Sequence, residues 1–285
     1  MINLIHGDCI KEMAKMPENS VDLVVTSPPY DNLRNYTGES QWNLEVFKNV
    51  AKELYRVVKD GGVVVWVVGD ATIKGSETGS SFRQALHFMD LGFRLHDTMI
   101  YEKNTSSFPA RNTGNRYTQI FEYMFVFSKG SPKAKLICDK ENKWAGHTNW
   151  GKNTHRGKDN VLKETKDIKP VPQFSPRNNI WKYTVGKGFV TKDKEAHEHP
   201  AIFPEKLAKD HIISWSNEGD LVLDPFVGSG TTGKMCKLLN RKFIGIDISK
   251  KYIDLAQKRI DNAKLQLSVF SEDETGKNDW DRRQY

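Results

Sequence analysis

The 285 residues predict an α/β fold built on a mostly parallel sheet. Three observations lead there. Short apolar, β-branched runs alternate with amphipathic stretches. One of them, Val63 to Val68, is apolar throughout, as strands covered on both faces are. Near the carboxyl terminus a strand leads through a glycine-rich turn into a helix.

Taken in order, Ile2 to Ile5 reads as a short strand and Cys9 to Met16 as a helix stopped before Pro17. Val21 to Val25 is a β-branched strand that must end at Ser27-Pro28-Pro29, because consecutive prolines remove ladder donors. Leu44 to Val58 reads as an amphipathic helix ended by Asp60-Gly61-Gly62, with the strand Val63 to Val68 after it. Phe82 to Leu91 is a helix closed by Gly92, followed by strands around Leu95 to Tyr101 and Tyr123 to Ser128. Periodicity then fades until a helix over Pro204 to Trp215. The strand Leu221-Val222-Leu223, a helix over Thr232 to Leu239, the strand Phe243 to Ile246 and a helix from Lys250 to about Lys264 complete the pattern. The last twenty residues are polar and read as a loose tail; no internal repeat is evident.

A composition of 38% hydrophobic and 28% charged residues is globular and excludes collagen-like, coiled-coil and mucin-like chains. No apolar run approaches membrane-spanning length and no signal pattern opens the chain, so a cytoplasmic protein is expected. Cys9, Cys138 and Cys236 are too scattered for a disulfide framework or a metal pattern. The formal charge of +7 is localised: residues 131 to 200 carry 15 Lys and Arg against 8 Asp and Glu, which is the whole excess. Isolated aromatics, Trp144, Trp150, Phe174, Trp181 and Tyr183, stand in that segment among Lys, Arg and Asn. A solvated insertion is the plainer reading of such a segment, and a polyanion-binding surface the more specific one.

The stretch from Leu221 to Lys234 fits two templates. Gly228, Gly230 and Gly233 have dinucleotide-turn spacing, and Gly228 with Gly233-Lys234 has phosphate-loop spacing. A phosphate loop needs a hydroxyl after its lysine to hold magnesium, and Met235 stands there. Asp224 should sit at the carboxyl end of its strand, where it would repel pyrophosphate and attract an ammonium group. S-adenosylmethionine carries such a group and no phosphate. Asp247, at the end of the next strand, is placed to accept from ribose hydroxyls. A turn carboxylate at Asp224 and a helix N-cap at Asp247 are the structural alternatives.

Thr26-Ser27-Pro28-Pro29-Tyr30 follows a buried strand and should reach the same edge of the sheet. Two prolines fix the backbone, Ser27 and the Pro28 carbonyl are acceptors, and Tyr30 supplies a flat face. Two acceptors beside an aromatic plate suit an exocyclic amine on a flipped base. Its lone pair is conjugated into the ring, and drawing its hydrogens toward acceptors frees that pair to attack a methyl sulfonium in line. A β-turn with a packed tyrosine is the structural alternative.

T-S-P-P-Y near one end and D-P-F-V-G-S-G-T-T near the other, in this order, strongly resemble the permuted β group of DNA amino-methyltransferases. Gly7-Asp8, the basic segment and H-P-A-I-F-P-E-K-L at 199 to 207 also keep the order of that group, although Ala201 to Pro204 departs from its commoner T-x-K-P. The resemblance implies a Rossmann-like methyltransferase fold with an inserted target-recognition region. Residues 1–130 and 199–285 would form the catalytic domain and 131–198 the recognition region. Ser27, Pro28, Pro29 and Tyr30 would be catalytic. Asp224, Pro225, Phe226, Gly228, Ser229, Gly230, Thr231 and Thr232 would line the cofactor S-adenosyl-L-methionine, with Asp247 at its ribose and Asp8 and Cys9 at its adenine edge. His199 and Pro200 through Lys206 would begin the helix beside it.

S-P-P-Y is commoner in that group among enzymes that methylate cytosine N4, and D-P-P-Y among those acting on adenine N6. Cytosine N4 is therefore the expected target, with adenine N6 the alternative. The target would be flipped from double-stranded DNA, with Arg111, Arg116, Arg156 and Arg177 as candidate contacts. A cognate restriction endonuclease and a second copy of the chain are candidate partners. No metal is expected: His147, His155, His197 and His199 lack ligand spacing. Two readings from other classes are a phosphate-loop nucleotide enzyme and a non-catalytic DNA-binding subunit; neither accounts for both motifs.

Overall fold

The computed structural model describes residues 1–29, 42–105, 115–148, 154–164, 169–186, 188–193, 195–196, 199, 202 and 204–263. Tyr30, Arg111, Trp150, His197, Pro200 and the carboxyl-terminal tail lie outside the described residues.

The first half contains β1 (Ile2–His6), α1 (Cys9–Ala14), β2 (Val21–Thr26), α2 (Leu44–Val57), β3 (Val58–Val68), a hairpin of β4 (Thr72–Ile73) and β5 (Ser76–Glu77), α3 (Ser80–Asp90), β6 (Arg94–Lys103) and β7 (Phe121–Ser128). Next come the short strands β8 (Lys140–Glu141), β9 (Thr154–Arg156), β10 (Leu162–Glu164) and β11 (Phe174–Ser175), then β12 (Ile180–Tyr183). The chain closes with α4 (Glu205–Trp215), β13 (Leu221–Asp224), α5 (Thr231–Leu238), β14 (Lys242–Asp247) and α6 (Lys250–Asn262). None of the described helices is long and apolar enough to cross a membrane.

Eight strands form one sheet in the order β1-β14-β13-β2-β3-β7-β6-β12. Only β7 runs against its neighbours; the other pairings are parallel. Side chains alternate across it with period two. Leu23, Val25, Val63 and Val65 pack with Leu207, Ile212, Met235 and Ile253 of α4, α5 and α6. Val24, Val64 and Trp66 pack with Met13, Phe47, Leu54 and Phe88 of α1, α2 and α3. Both faces are therefore covered, which is why the strands read as continuous apolar runs. The architecture is the expected Rossmann-like α/β fold.

The order of the strands fixes where a ligand can enter. From β13 the chain crosses through α5 to β14, whereas from β2 it crosses through α2, on the opposite face, to β3. The two crossovers part at the β13/β2 seam and leave a crevice above the carboxyl ends of these strands.

Two expectations need correcting. Asp60-Gly61-Gly62 does not end the helix: α2 stops at Val57, and these residues belong to β3. Gly61 takes φ +77 and donates its N–H to Lys129 O at 2.5 Å, while the β2/β3 register shifts between Val21 and Leu23. An irregular strand start thus does what the sequence suggests as a turn. Nor does all of 131–198 stand apart from the scaffold. Strand β12 pairs with β6 at the edge of the main sheet. Its Trp181 and Tyr183 are core residues, with Trp181 against His211 at 4.7 Å between ring centroids and the Tyr183 hydroxyl donating to Asp210 at 2.9 Å.

Candidate active site

The parallel strands β1, β14, β13 and β2 end side by side at His6, Asp247, Asp224 and Thr26. Every described catalytic and cofactor candidate follows one of these ends: Asp8 and Cys9 after β1, Asp247 on β14, the glycine turn after β13, and Ser27-Pro28-Pro29 after β2. Topology alone brings residues from both termini to one edge.

Asp224 is 1% exposed. Its Oδ1 accepts from the Thr26 hydroxyl at 2.7 Å and from the Phe226 N–H at 3.1 Å. Burial raises its pKa to about 6 against the opposing pull of these bonds. The turn-carboxylate geometry is thus present, and it orients the carboxyl group over the seam. Thr232, fully buried, donates to Val25 O at 3.2 Å and staples the start of α5 to β2.

Asp247 is the counterpart one strand away. Its Oδ2 accepts from the Gly228 N–H and its Oδ1 from the Ser249 N–H, both at 2.9 Å, so it braces the glycine turn and the approach to α6. Burial raises its pKa despite these bonds. Asp8 caps α1 through the Lys11 N–H at 3.0 Å. Burial, with Asp8 and Asp247 nearby, pushes the Cys9 thiol up to about 12, so this sulfur stays protonated at neutral pH.

The glycines serve the turn and its packing. Gly228 and Gly230 lie at φ +47 and +79, in the left-handed region. A Cβ on Gly228 would come within 2.8 Å of His199 Nε2, and one on Gly230 within 2.8 Å of the Ala256 Cβ. At Gly233 it would meet Phe243 and Ile260, both at 2.6 Å, so the third glycine lets α5 lie close on β14 and α6. Phe226 meets the rings of Trp42 and Trp66 edge-on at 5.2 and 6.3 Å. Ser229 and Thr231 are buried.

The charges decide between the two glycine templates. Lys234, the would-be phosphate lysine, is bound to Asp193 at 2.9 Å and Glu205 at 2.8 Å. The rim is instead acidic, with Asp8, Asp224 and Asp247 at the ends of three neighbouring strands. That donor set suits ribose hydroxyls and a cationic amino acid and repels phosphate, which fits S-adenosylmethionine and not a nucleoside triphosphate.

Sequence reasoning missed Asp70, just beyond the end of β3 on the same edge. Burial pushes its pKa up, but hydrogen bonds from Ser81, Ser80 and Thr78 outweigh this and hold it below the usual carboxylate range. The signal available was an acidic residue directly after an apolar strand. Beside it a cavity of about 100 Å³ is lined by Trp42, Asn43, Leu44, Ser80, Arg83 and Gln84.

The candidate DNA-contacting arginines separate. Arg177 is no free DNA contact: it grips Asp139 and Asp210 at 2.5 and 2.6 Å and lies over Trp181 at 5.5 Å. Arg116 bonds Gly75 O and pairs with Glu77 at 3.7 Å on the β4–β5 hairpin. Arg156 is exposed beside Asn160, in the β9–β10 hairpin. Trp144, Phe174 and Phe189 are 61%, 46% and 72% exposed, leaving flat apolar faces among the lysines.

Residues 21–258 match a family described as DNA methylase, covering N6 and N4 enzymes. The chain is 58% identical over 257 residues to the orphan methyltransferase M.BamHII of Bacillus amyloliquefaciens, which spans 90% of this chain and 91% of that one. It is 28% identical to the DNA adenine methyltransferase YhdJ of Escherichia coli strain K12, over 96% and 86% of the two chains. Among solved structures, the cytosine-N4-specific PvuII DNA methyltransferase shares the fold, with a TM-score of 0.66 and 21% identity over 90% of this chain and 86% of that one. A complex of M1.HpyAVI with S-adenosylmethionine gives a TM-score of 0.57 and 26% identity, covering 92% of this chain and 100% of that one.

Proposed function

This chain belongs to the DNA methylase family of N6 and N4 amino-methyltransferases, and from that premise we propose that it methylates the N4 amine of a cytosine flipped out of duplex DNA. The observation that carries the amine-methylation chemistry is the bond from Thr26 to Asp224, which joins the two motif-bearing strands at the crevice, and the S-P-P-Y sequence is what favours cytosine. That bond sets Ser27-Pro28-Pro29 directly beside the glycine turn.

Asp224, Asp247 and the turn from Phe226 to Thr231 would hold S-adenosylmethionine, with Asp8 and Cys9 at its adenine. When bound, that cofactor supplies a methyl group on a sulfonium. The chain's own work is to present the amine. Ser27 Oγ and the Pro28 carbonyl accept its hydrogens, which draws the nitrogen lone pair out of conjugation. Pro28 and Pro29 keep the acceptors fixed and Tyr30 stacks on the base. Methyl transfer is direct and in line, with no enzyme nucleophile; the protonated Cys9 accords with that. The exposed parts of 131–176, rich in Lys with Trp144 and Phe174, bind the DNA backbone and fill the gap left by the base.

Adenine N6 is the second reading, because a neutral Ser27 can accept from either amine and the Escherichia coli relative is named an adenine methyltransferase. Methylation of plasmid DNA followed by nucleoside mass spectrometry tests both. N4-methylcytosine is the expected product, N6-methyladenine would replace the first reading with the second, and neither would refute the proposed chemistry.

A further inference from the structure

We propose that Arg259 is a positioning residue that shapes the cofactor turn from behind; this rests on the assignment of the turn to S-adenosylmethionine. The Arg259 side chain is 1% exposed, on the inner face of α6. All five of its donors find acceptors. Nε bonds Asp193 at 3.0 Å, Nη1 bonds the Ser229 carbonyl and the Thr231 hydroxyl, and Nη2 reaches Glu205 at 2.9 Å and Thr191 at 3.4 Å. Lys234 shares Asp193 and Glu205, so two cations and two carboxylates balance in one half-buried cluster around the buried guanidinium.

The turn depends on such support. Gly230, the N-cap of α5, has no side chain to cap the helix, and no side-chain cap bond is made there. The peptide groups are pinned from two sides instead. Asp247 accepts from the Gly228 N–H, and Arg259 donates to the Ser229 carbonyl. Turning that carbonyl toward α6 sets the plane of the Ser229–Gly230 peptide and, with it, the direction of the first amides of α5. A lysine in place of Arg259 could not span both the turn and the carboxylates, because only a planar fork presents donors in fixed divergent directions.

The role differs from that of a cation which merely staples helices. Lys237 bonds the carbonyls of Ile260 and Asp261 at 2.7 and 3.1 Å and so joins α5 to the end of α6, away from the turn. Asp193→Asn provides the second comparison, since it breaks an ion pair of Arg259 and leaves the bond to Ser229 in place.

Calorimetric titration of the full-length protein with S-adenosylmethionine is the test, alongside thermal unfolding and steady-state kinetics. Arg259→Met should raise the cofactor Kd about ten-fold or more, as loss of a buried charge-assisted bond implies. It should raise KM for the cofactor in parallel, leave kcat at saturation within about two-fold, and leave Kd for duplex DNA unchanged. Lys237→Met should lower the melting temperature without moving the cofactor Kd, and Asp193→Asn should move it less than Arg259→Met. An unchanged Kd in folded Arg259→Met, or equal increases in Arg259→Met and Lys237→Met, would overturn the inference. Failure of the unmodified protein to bind the cofactor would instead overturn the assignment of the turn.

Discussion

Thr26, the last residue of β2, donates its hydroxyl to Asp224, the last residue of β13, at 2.7 Å. The two strands lie side by side although 198 positions separate these residues. This bond ties the Ser27-Pro28-Pro29 loop and the glycine turn, the proposed catalytic and cofactor-binding segments, into one rim, and it bears on how the rim responds to pH.

A carboxyl group near pKa 6 is ionised at pH 7.5 and half protonated at 6. If Asp224 attracts the cationic part of the cofactor, affinity should fall as pH drops from 7 to 5, with a midpoint near 6 in the free protein. Asp224→Asn should bind at least ten-fold more weakly at pH 7.5 and lose most of this pH dependence. Thr26→Val removes a bond that favours the ionised form and should shift the midpoint upward. Calorimetric titrations across the range measure all three, and a flat profile for the unmodified protein would count against the role of Asp224.

The same group should trade stability for function. Its folded pKa lies above the usual value of 3.8, so the folded state binds the proton more tightly than the unfolded chain does. The stability this contributes is present below pH 4 and is lost as pH rises through 6, a penalty on the order of 3 kcal/mol above that. Asn keeps an acceptor for Thr26 and Phe226 without the charge. Asp224→Asn should therefore melt no lower than the unmodified protein at pH 8, and higher if its bonds are kept.

Ser27→Ala should lower kcat by about a hundred-fold, the scale on which removing one hydrogen-bonding group from a developing charge slows a reaction, while cofactor Kd stays within about two-fold. Tyr30→Ala should lower kcat and weaken retention of the flipped base. Single-turnover methylation, with cofactor binding measured separately, distinguishes these effects from unfolding.

No thiol chemistry is required. Cys9 is held protonated and Cys236 is buried, its thiol raised well above its ordinary value by desolvation. Cys9→Ser and Cys138→Ser should both methylate DNA. Loss of transfer in a folded Cys138→Ser protein would contradict the in-line mechanism.

Basic residues of the segment proposed to read DNA should divide into two kinds. Lys143→Ala and Lys158→Ala, exposed positions, should each weaken DNA binding and reduce the slope of log Kd against log salt by about one if they touch phosphates. Arg177→Met should instead destabilise the protein by roughly 2–4 kcal/mol, because it leaves buried Asp210 without its cation. Filter binding over a salt series and thermal melts separate the two.

These contrasts also show what the sequence could disclose. The apolar β-branched runs disclosed the sheet, and the two motifs fall at one edge of it, because buried parallel strands and glycine turns leave strong local marks. Strand β12 was hidden: four residues, Ile180 to Tyr183, alternate exposed and buried too briefly to stand out from their basic surroundings. Arg177 and Arg259 look alike in sequence as surface cations. What buries each is a set of carboxylates from distant elements, and no local spacing encodes that. Asp60-Gly61-Gly62 misled for the opposite reason, since a strong turn signal was used inside an irregular strand.

The path of the chain between β7 and β12 has a consequence for the proposed reading of DNA. The chain leaves the sheet after β7 and returns to it as β12, one strand away. Arg177 donates its N–H to Ile137 O at 3.0 Å where the two limbs meet, and Lys135 is tied to α4 through Ser214 O at 2.8 Å. Residues 138–176 thus form an excursion closed at its neck. A loop held in this way can change length at little entropic cost, because closing a longer loop adds only slowly to the penalty. If the excursion reads DNA as proposed, it is in effect an exchangeable cassette: a graft between relatives that kept Ile137, Asp139, Arg177 and Asp210 should change the recognised site while the strands, the seam and the rim above it stayed as they are.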